Sequence, residues 1–261
     1  MKIGLFDSGL GGLSVVKAIK EKLPNTNLVY IGDTANVPYG DKSPKTIRSL
    51  SQALLDFLVE QEVDLIAIAC NTSSALLLPE HQTYKGIPVI GLLQAGCQLQ
   101  KQYQSIGILA TSATVASKAY VHEIIKHTPQ TRCQQLACPE FVPFVESLEW
   151  KNRPILHQIK ERLKPMLEQS PEAIMLGCSH YPFLQPFFKQ LFPKETVFID
   201  PAQALVEQLT STATRASIKT EDQFYVTKKA QEFASAANQL LGFKIQVNTV
   251  HLKSKEIITQ N

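Results

Sequence analysis

The sequence predicts an α/β protein of two similar half-domains with mostly parallel sheets and a ligand crevice between them. Three observations carry this expectation. Short apolar runs alternate with helix-patterned segments along the chain, the signature of parallel strands joined by crossover helices. Two segments also recur in character: IGLFDSGLGGLSV at 3–15 with IGILATSATVASK at 106–118, and VDLIAIACNTSSALLLP at 63–79 with PEAIMLGCSHYPFLQPFF at 171–188. The offsets of 103 and 108 residues are nearly equal, as expected of two half-molecules whose ligand loops lie at the carboxyl ends of parallel strands. Finally, 261 residues with 44% hydrophobic content suffice for two modest cores. The expected division places residues 1–95 and 208–261 in the first half and 96–207 in the second.

Taken in order, strands are expected at 2–7, 27–32, 64–69 and 87–92, and again at 105–110, 134–138, 172–177 and 196–200. Helices fit at Leu13–Lys22, at Pro44–Glu60 with apolar Ile47, Leu50, Leu54 and Leu58 on one stripe, and at Ser117–His127. Strands near 222–227 and 244–248 flank a helix near Lys228–Leu241.

The net charge of +3 arises from 26 basic and 23 acidic residues without long blocks. That spread argues against nucleic-acid or membrane partners and for a small ligand. Only six residues precede Asp7, too few for the apolar core of a signal peptide. No apolar run approaches the ~20 residues of a membrane span. The expected location is cytoplasmic, where five cysteines read as thiols. None forms a CxxC pair, and Cys133 and Cys138 lack a matching second pair, so no metal site is expected.

Two cysteines stand out. Cys70 and Cys178 each follow an apolar strand run and precede polar pairs, Asn71-Thr72 and Ser179-His180, suited to a helix N-terminus. Such an N-terminus attracts a carboxylate and lowers a thiol pKa. A lone cysteine at a strand end is ordinarily a small buried hydrophobe, but here the polar follow-on occurs twice. Thiols from opposite walls of a cleft suit removal of a proton from one face of a carbon and its return to the other. Without a Schiff-base lysine motif, the carbanion would rely on hydrogen bonds to the substrate carboxylate.

Other residues are read against ordinary roles. Asp7 ends the first strand, where it orients a thiol, contacts an ammonium group or merely shapes the DSGLGG turn. Gly9, Gly11 and Gly12 suggest a loop pressed close to ligand, yet G-x-G-x-x-G would need glycine at Ser14, which weakens a dinucleotide reading. Asp33 and Thr34 suit loop orientation, and the Tyr39 hydroxyl and Gly40 amide are placed to face the cleft. His180 with Glu146 suggests a Cys/His/Glu assembly that tunes Cys178, Glu146 acting behind the substrate contacts. Capping suffices for Thr114. His81, His122, His127, His157 and His251 lack partner spacing, and Cys97, Cys133 and Cys138 read as structural. A cysteine hydrolase using Cys178 with His180, and a non-catalytic amino-acid binding protein, remain as alternatives.

The segments FDSGLGGLSV at 6–15, GDTANVPYG at 32–40, ACNTSSA at 69–75, CPEFVPFVE at 138–146 and GCSHYP at 177–182 closely resemble the glutamate racemase family, within the cofactor-independent aspartate and glutamate racemases. The resemblance implies that Cys70 and Cys178 are the catalytic bases, Cys70 serving the D-enantiomer and Cys178 the L-enantiomer. It further implies substrate contacts from Asp7, Ser8, Tyr39, Gly40, Asn71, Thr72, Ser179 and His180. It implies no cofactor, a homodimer, and D-glutamate supplied to peptidoglycan synthesis. In one departure, the family usually has threonine where this chain has Ser179. Serine keeps the hydroxyl but loses the methyl that restricts its rotamer. After about residue 210 the resemblance says little.

Overall fold

The computed structural model describes residues 1–77, 82–99, 102–148, 150, 154–212 and 221–252. Its strands are β1 (Lys2–Asp7), β2 (Asn27–Gly32), β3 (Leu65–Ile68), β4 (Thr83–Tyr84), β5 (Ile87–Gly91), β6 (Ser105–Ala110), β7 (Arg132–Ala137), β8 (Ala173–Gly177), β9 (Val197–Ile199), β10 (Gln223–Val226) and β11 (Val247–Thr249). Among the described residues they form a seven-stranded sheet, β11-β10-β2-β1-β3-β5-β4, and a four-stranded sheet, β7-β6-β8-β9. Pairing is parallel except between β4 and β5. The α/β class with mostly parallel sheets is therefore as expected.

The repetition in the sequence reappears as topology. The order β2-β1-β3-β5 in one sheet matches β7-β6-β8-β9 in the other. Cys70 follows β3 after one residue and Cys178 directly follows β8, the corresponding strand.

Both sheets are covered on both faces, so their central strands are apolar throughout rather than alternating with polar residues. In β1, Ile3 and Leu5 join one buried cluster with Val16 and Ile19, whereas Phe6 joins another with Leu54 and Leu58. The two-residue strand period divides these neighbours between opposite faces. Helix Leu13–Lys22 covers the first face and helix Pro44–Glu60 the second, both with the expected bounds. The latter starts where Ser43 Oγ accepts from Thr46 N at 3.1 Å and Pro44 occupies the first turn. Its Ile47, Leu54 and Leu58 are buried.

Departures from the expected elements have local causes. The helix expected at 117–127 starts at Ala119, because a separate short helix, Ser112–Ser117, ends just before it and Lys118 between them sits at φ 54°. Ser117 Oγ donates to Thr114 O at 2.7 Å and accepts from Ala119 N at 3.2 Å, ending one helix and starting the next. The last strand begins at Val247 rather than 244 because Ile245 N donates to Asn238 Oδ1 at 2.9 Å, tying that segment to the preceding helix. Helix Asn71–Leu77 is buried all round and so carries no amphipathic period. Helices Leu92–Leu99, Phe141–Glu146, Leu156–Gln169 and Pro201–Thr212 were also unanticipated, the third containing Pro165. Among the described residues no helix is long and apolar enough to cross a membrane.

Ser43→Ala removes the cap of the 44–60 helix and should lower stability by about 1 kcal/mol. Urea unfolding checks this through a lower midpoint at unchanged slope; an unchanged midpoint contradicts the assigned role.

Candidate active site

Loops after β1, β2, β3, β6 and β8 converge on one small cavity. Ser8, Tyr39, Gly40, Cys70, Asn71 and Thr72 line it on the side of the first sheet, and Cys178, Ser179 and His180 on the side of the second. Asp7 and Glu146 stand behind this wall. The expected site residues are thus gathered in one place, with the two thiols supplied by different sheets.

The sheets meet through buried hydrogen bonds around this cavity. Ser179 Oγ donates to Asp7 Oδ2 at 2.9 Å, and Ser14 Oγ donates to Ser179 O at 2.9 Å. Glu146 Oε1 accepts from Leu10 N at 2.8 Å and lies 2.6 Å from His180 Nε2. His180 Nδ1 in turn lies 3.6 Å from Cys178 Sγ, completing the Cys/His/Glu assembly. A Cβ at Gly11 would collide with His180 and Ser179, and one at Gly9 with Glu146. These glycines are therefore required by protein groups from across the cleft rather than by a ligand.

Asn71 does not act as a helix cap. In the carboxamide orientation that satisfies both ends, its nitrogen donates to Tyr120 Oη at 2.6 Å, and its oxygen accepts from Ser179 N at 2.9 Å and Cys178 N at 3.3 Å. Nor does an α-helix begin at Ser179-His180. A 3-10 turn over Tyr181–Leu184 comes first, and Gln185–Leu191 follows. The Tyr39 hydroxyl is directed away from its expected role, donating to Asp33 Oδ2 at 2.7 Å. Asp33 also accepts from Asn36 Nδ2 at 3.0 Å and Thr227 Oγ1 at 2.8 Å, which fixes the loop carrying Tyr39 and Gly40.

The electrostatics oppose the simple expectation of a helix-lowered thiol. Burial, reinforced by the Asp7 carboxylate, pushes Cys70 up to about 12, against hydrogen bonds from Ser73 that lower it. Burial also raises Asp7, opposed by nearby His180 and by hydrogen bonds from Gly9, Gly12 and Ser179. Burial alone would lower His180, yet its contacts with Cys178 and Glu146 hold it well above the usual histidine value.

Thr111, which also lines the cavity, was missed. The repeat contains the signal: the 103-residue offset that relates Ile3 to Ile106 also relates Ser8 to Thr111. Of the set-aside groups, Cys97 and Cys138 are buried free thiols and Cys133 is a half-buried one. His127 pairs with Glu123 at 3.2 Å on a helix surface, and His81 lies outside the described residues. Among the described residues there is no cluster of three His, Cys, Asp or Glu able to hold a metal.

The Asp/Glu/hydantoin racemase family model matches residues 3–209. Glutamate racemase from Trichodesmium erythraeum is 35% identical over 258 residues, covering 96% of this chain and 95% of that protein. The structure of glutamate racemase from Francisella tularensis in complex with D-glutamate matches with a TM-score of 0.90 and 34% identity, covering 97% of this chain and 98% of that one. A glutamate racemase isoform from Bacillus anthracis gives 0.89 and 28%, with the same coverages.

The contacts with Cys178 and Glu146 that raise His180 make it hold its proton to higher pH than a free imidazole would. Glu146→Gln removes an anion that favours the imidazolium, so His180 should titrate at lower pH. NMR titration of the imidazole measures this, and an unmoved titration contradicts the assigned interaction.

Proposed function

Because the chain belongs to the Asp/Glu/hydantoin racemase family, we propose that it interconverts L-glutamate and D-glutamate by proton transfer between two cysteines, without a cofactor. The observation that carries this reading is the placement of Cys70 and Cys178, from corresponding strands of two sheets, on one cavity. Racemisation needs a base on one face of the α-carbon and an acid on the other. Cys70 is assigned to D-glutamate and Cys178 to L-glutamate.

The remaining site residues receive roles consistent with their surroundings. Asp7 attracts the substrate ammonium group, whose positive charge counters the carboxylate that raises Cys70. Ser8, Gly40, Asn71, Thr72 and Ser179 supply polar contacts to the two carboxylates, and Tyr39 shapes the wall. His180, held by Glu146, stands beside the Cys178 thiol and is placed to exchange a proton with it. Hydrogen bonds to the α-carboxylate stabilise the charge that develops when the α-proton leaves. Glutamate is favoured over aspartate because the relatives named above are glutamate racemases. The same reading assigns the enzyme to the cytoplasm, to a homodimer and to the supply of D-glutamate for peptidoglycan.

The Cys178–His180–Glu146 chain on its own also suits a cysteine hydrolase. Such chemistry gives Cys70 no task. The pure protein, stripped with a chelator and given no pyridoxal phosphate or nucleotide, should convert either glutamate enantiomer to the racemate, as followed by optical rotation. Inactivity that only a metal or pyridoxal phosphate restores would contradict the proposal. Amide hydrolysis without racemisation would establish the hydrolase reading instead.

A further inference from the structure

At the cavity wall, three buried threonine hydroxyls form a closed ring between the two sheets. Thr72 Oγ1 lies 2.9 Å from Thr111 Oγ1, Thr111 Oγ1 lies 2.9 Å from Thr114 Oγ1, and Thr114 Oγ1 donates to Thr72 Oγ1 at 3.2 Å. Thr72 and Thr111 line the cavity, whereas Thr114 is fully buried outside its lining. Thr111 Oγ1 caps the 112–117 helix by accepting from Thr114 N at 3.4 Å. Capping therefore explains Thr111, but it does not explain the Thr114 hydroxyl, which reaches across to the other sheet.

Each hydroxyl has one proton, which fixes the direction of the ring. Thr114 gives its proton to Thr72, so Thr111 must supply the bond to Thr114 and Thr72 the bond to Thr111. A ring closed in this way has no proton to spare for a ligand. The edge able to open is Thr72–Thr111, between the two cavity-lining members. When Thr72 turns its proton to a carboxylate, it still accepts from Thr114, and Thr111 still donates to Thr114. Thr114 then holds both oxygens at the wall while one proton is presented to the ligand.

We propose that Thr114 is a positioning residue that orients Thr72 and Thr111 for recognition of the substrate carboxylate. This inference rests on the reading of the cavity as an amino-acid site. Without the Thr114 hydroxyl, Thr72 keeps only Thr111 as a hydroxyl partner and Thr111 keeps only Thr72 and the Thr114 amide, so donating to a ligand costs the Thr72–Thr111 bond. Binding weakens while both thiols and His180 keep their surroundings.

The experiment compares Thr114→Val, which keeps the shape and loses the hydroxyl, with Thr114→Ser, which keeps the hydroxyl. For Thr114→Val, KM for L- and D-glutamate should rise about tenfold, a change of the size expected from losing one hydrogen bond, while kcat stays within about twofold. Enantiomers are equally stable, so kcat/KM must fall equally in both directions. Thr114→Ser should restore KM. Should Thr114→Val not fold, Thr114→Ala provides the same KM readout. Unchanged KM in the variant lacking the hydroxyl, or an equal rise in Thr114→Ser, overturns the inference while wild-type racemisation stands. Wild-type protein that neither turns over glutamate nor binds it in calorimetry overturns the reading of the site, and this inference with it.

Discussion

Ser179 and Asp7 meet where two separately built sheets come together, and their hydrogen bond places the loop after β8 against the end of β1. A buried carboxylate is tolerable only when its oxygens find donors, and those of Asp7 come from both sides of the cleft and from its own loop. The Leu10–Glu146 and Ser14–Ser179 bonds reinforce the same junction. Gly11 permits it, since any side chain there would occupy the positions of Ser179 and His180. Once the halves are joined in this way, the corresponding strands β3 and β8 deliver their cysteines to a common cavity.

That closure also determines the electrostatics. Exclusion of water raises the cost of every charge, so Cys70 is pushed up to about 12 and Asp7 is raised as well. The second thiol has a different environment, with His180 beside it and Glu146 behind the histidine. The two halves thus share strand order but not the polar chemistry around their cysteines. Such asymmetry suits a site that must take a proton at one wall while offering one at the other, and a bound ammonium group would shift the balance at Cys70.

The sequence made much of this legible because the informative features were local. Apolar strand runs, the polar pairs after each cysteine and the near-equal offsets pointed to the fold class and singled out Cys70, Asn71, Cys178 and His180, whereas Asp7 joined them through the family resemblance. The less legible features depended on partners distant in the chain. The Tyr39 hydroxyl is claimed by Asp33, itself tied to Thr227 far along the chain. Thr114 resembled a simple cap because its cross-sheet partner, Thr72, is 42 residues away. The helix expected at 117–127 starts at Ala119, where Ser117 Oγ ties the preceding turn to the Ala119 amide. The helix after Cys70 had no readable period because every residue in it is buried.

Each wall of the cavity is proposed to supply one base, and α-proton exchange in heavy water isolates the two. With Cys70→Ser, D-glutamate should lose exchange, because a serine hydroxyl is too weak a base to replace the thiolate. L-glutamate should still exchange slowly, Cys178 removing the proton and returning deuterium to the same face. Cys178→Ser should give the mirror pattern, with net racemisation severely reduced in both variants. Near-normal racemisation by either variant would contradict the two-thiol account.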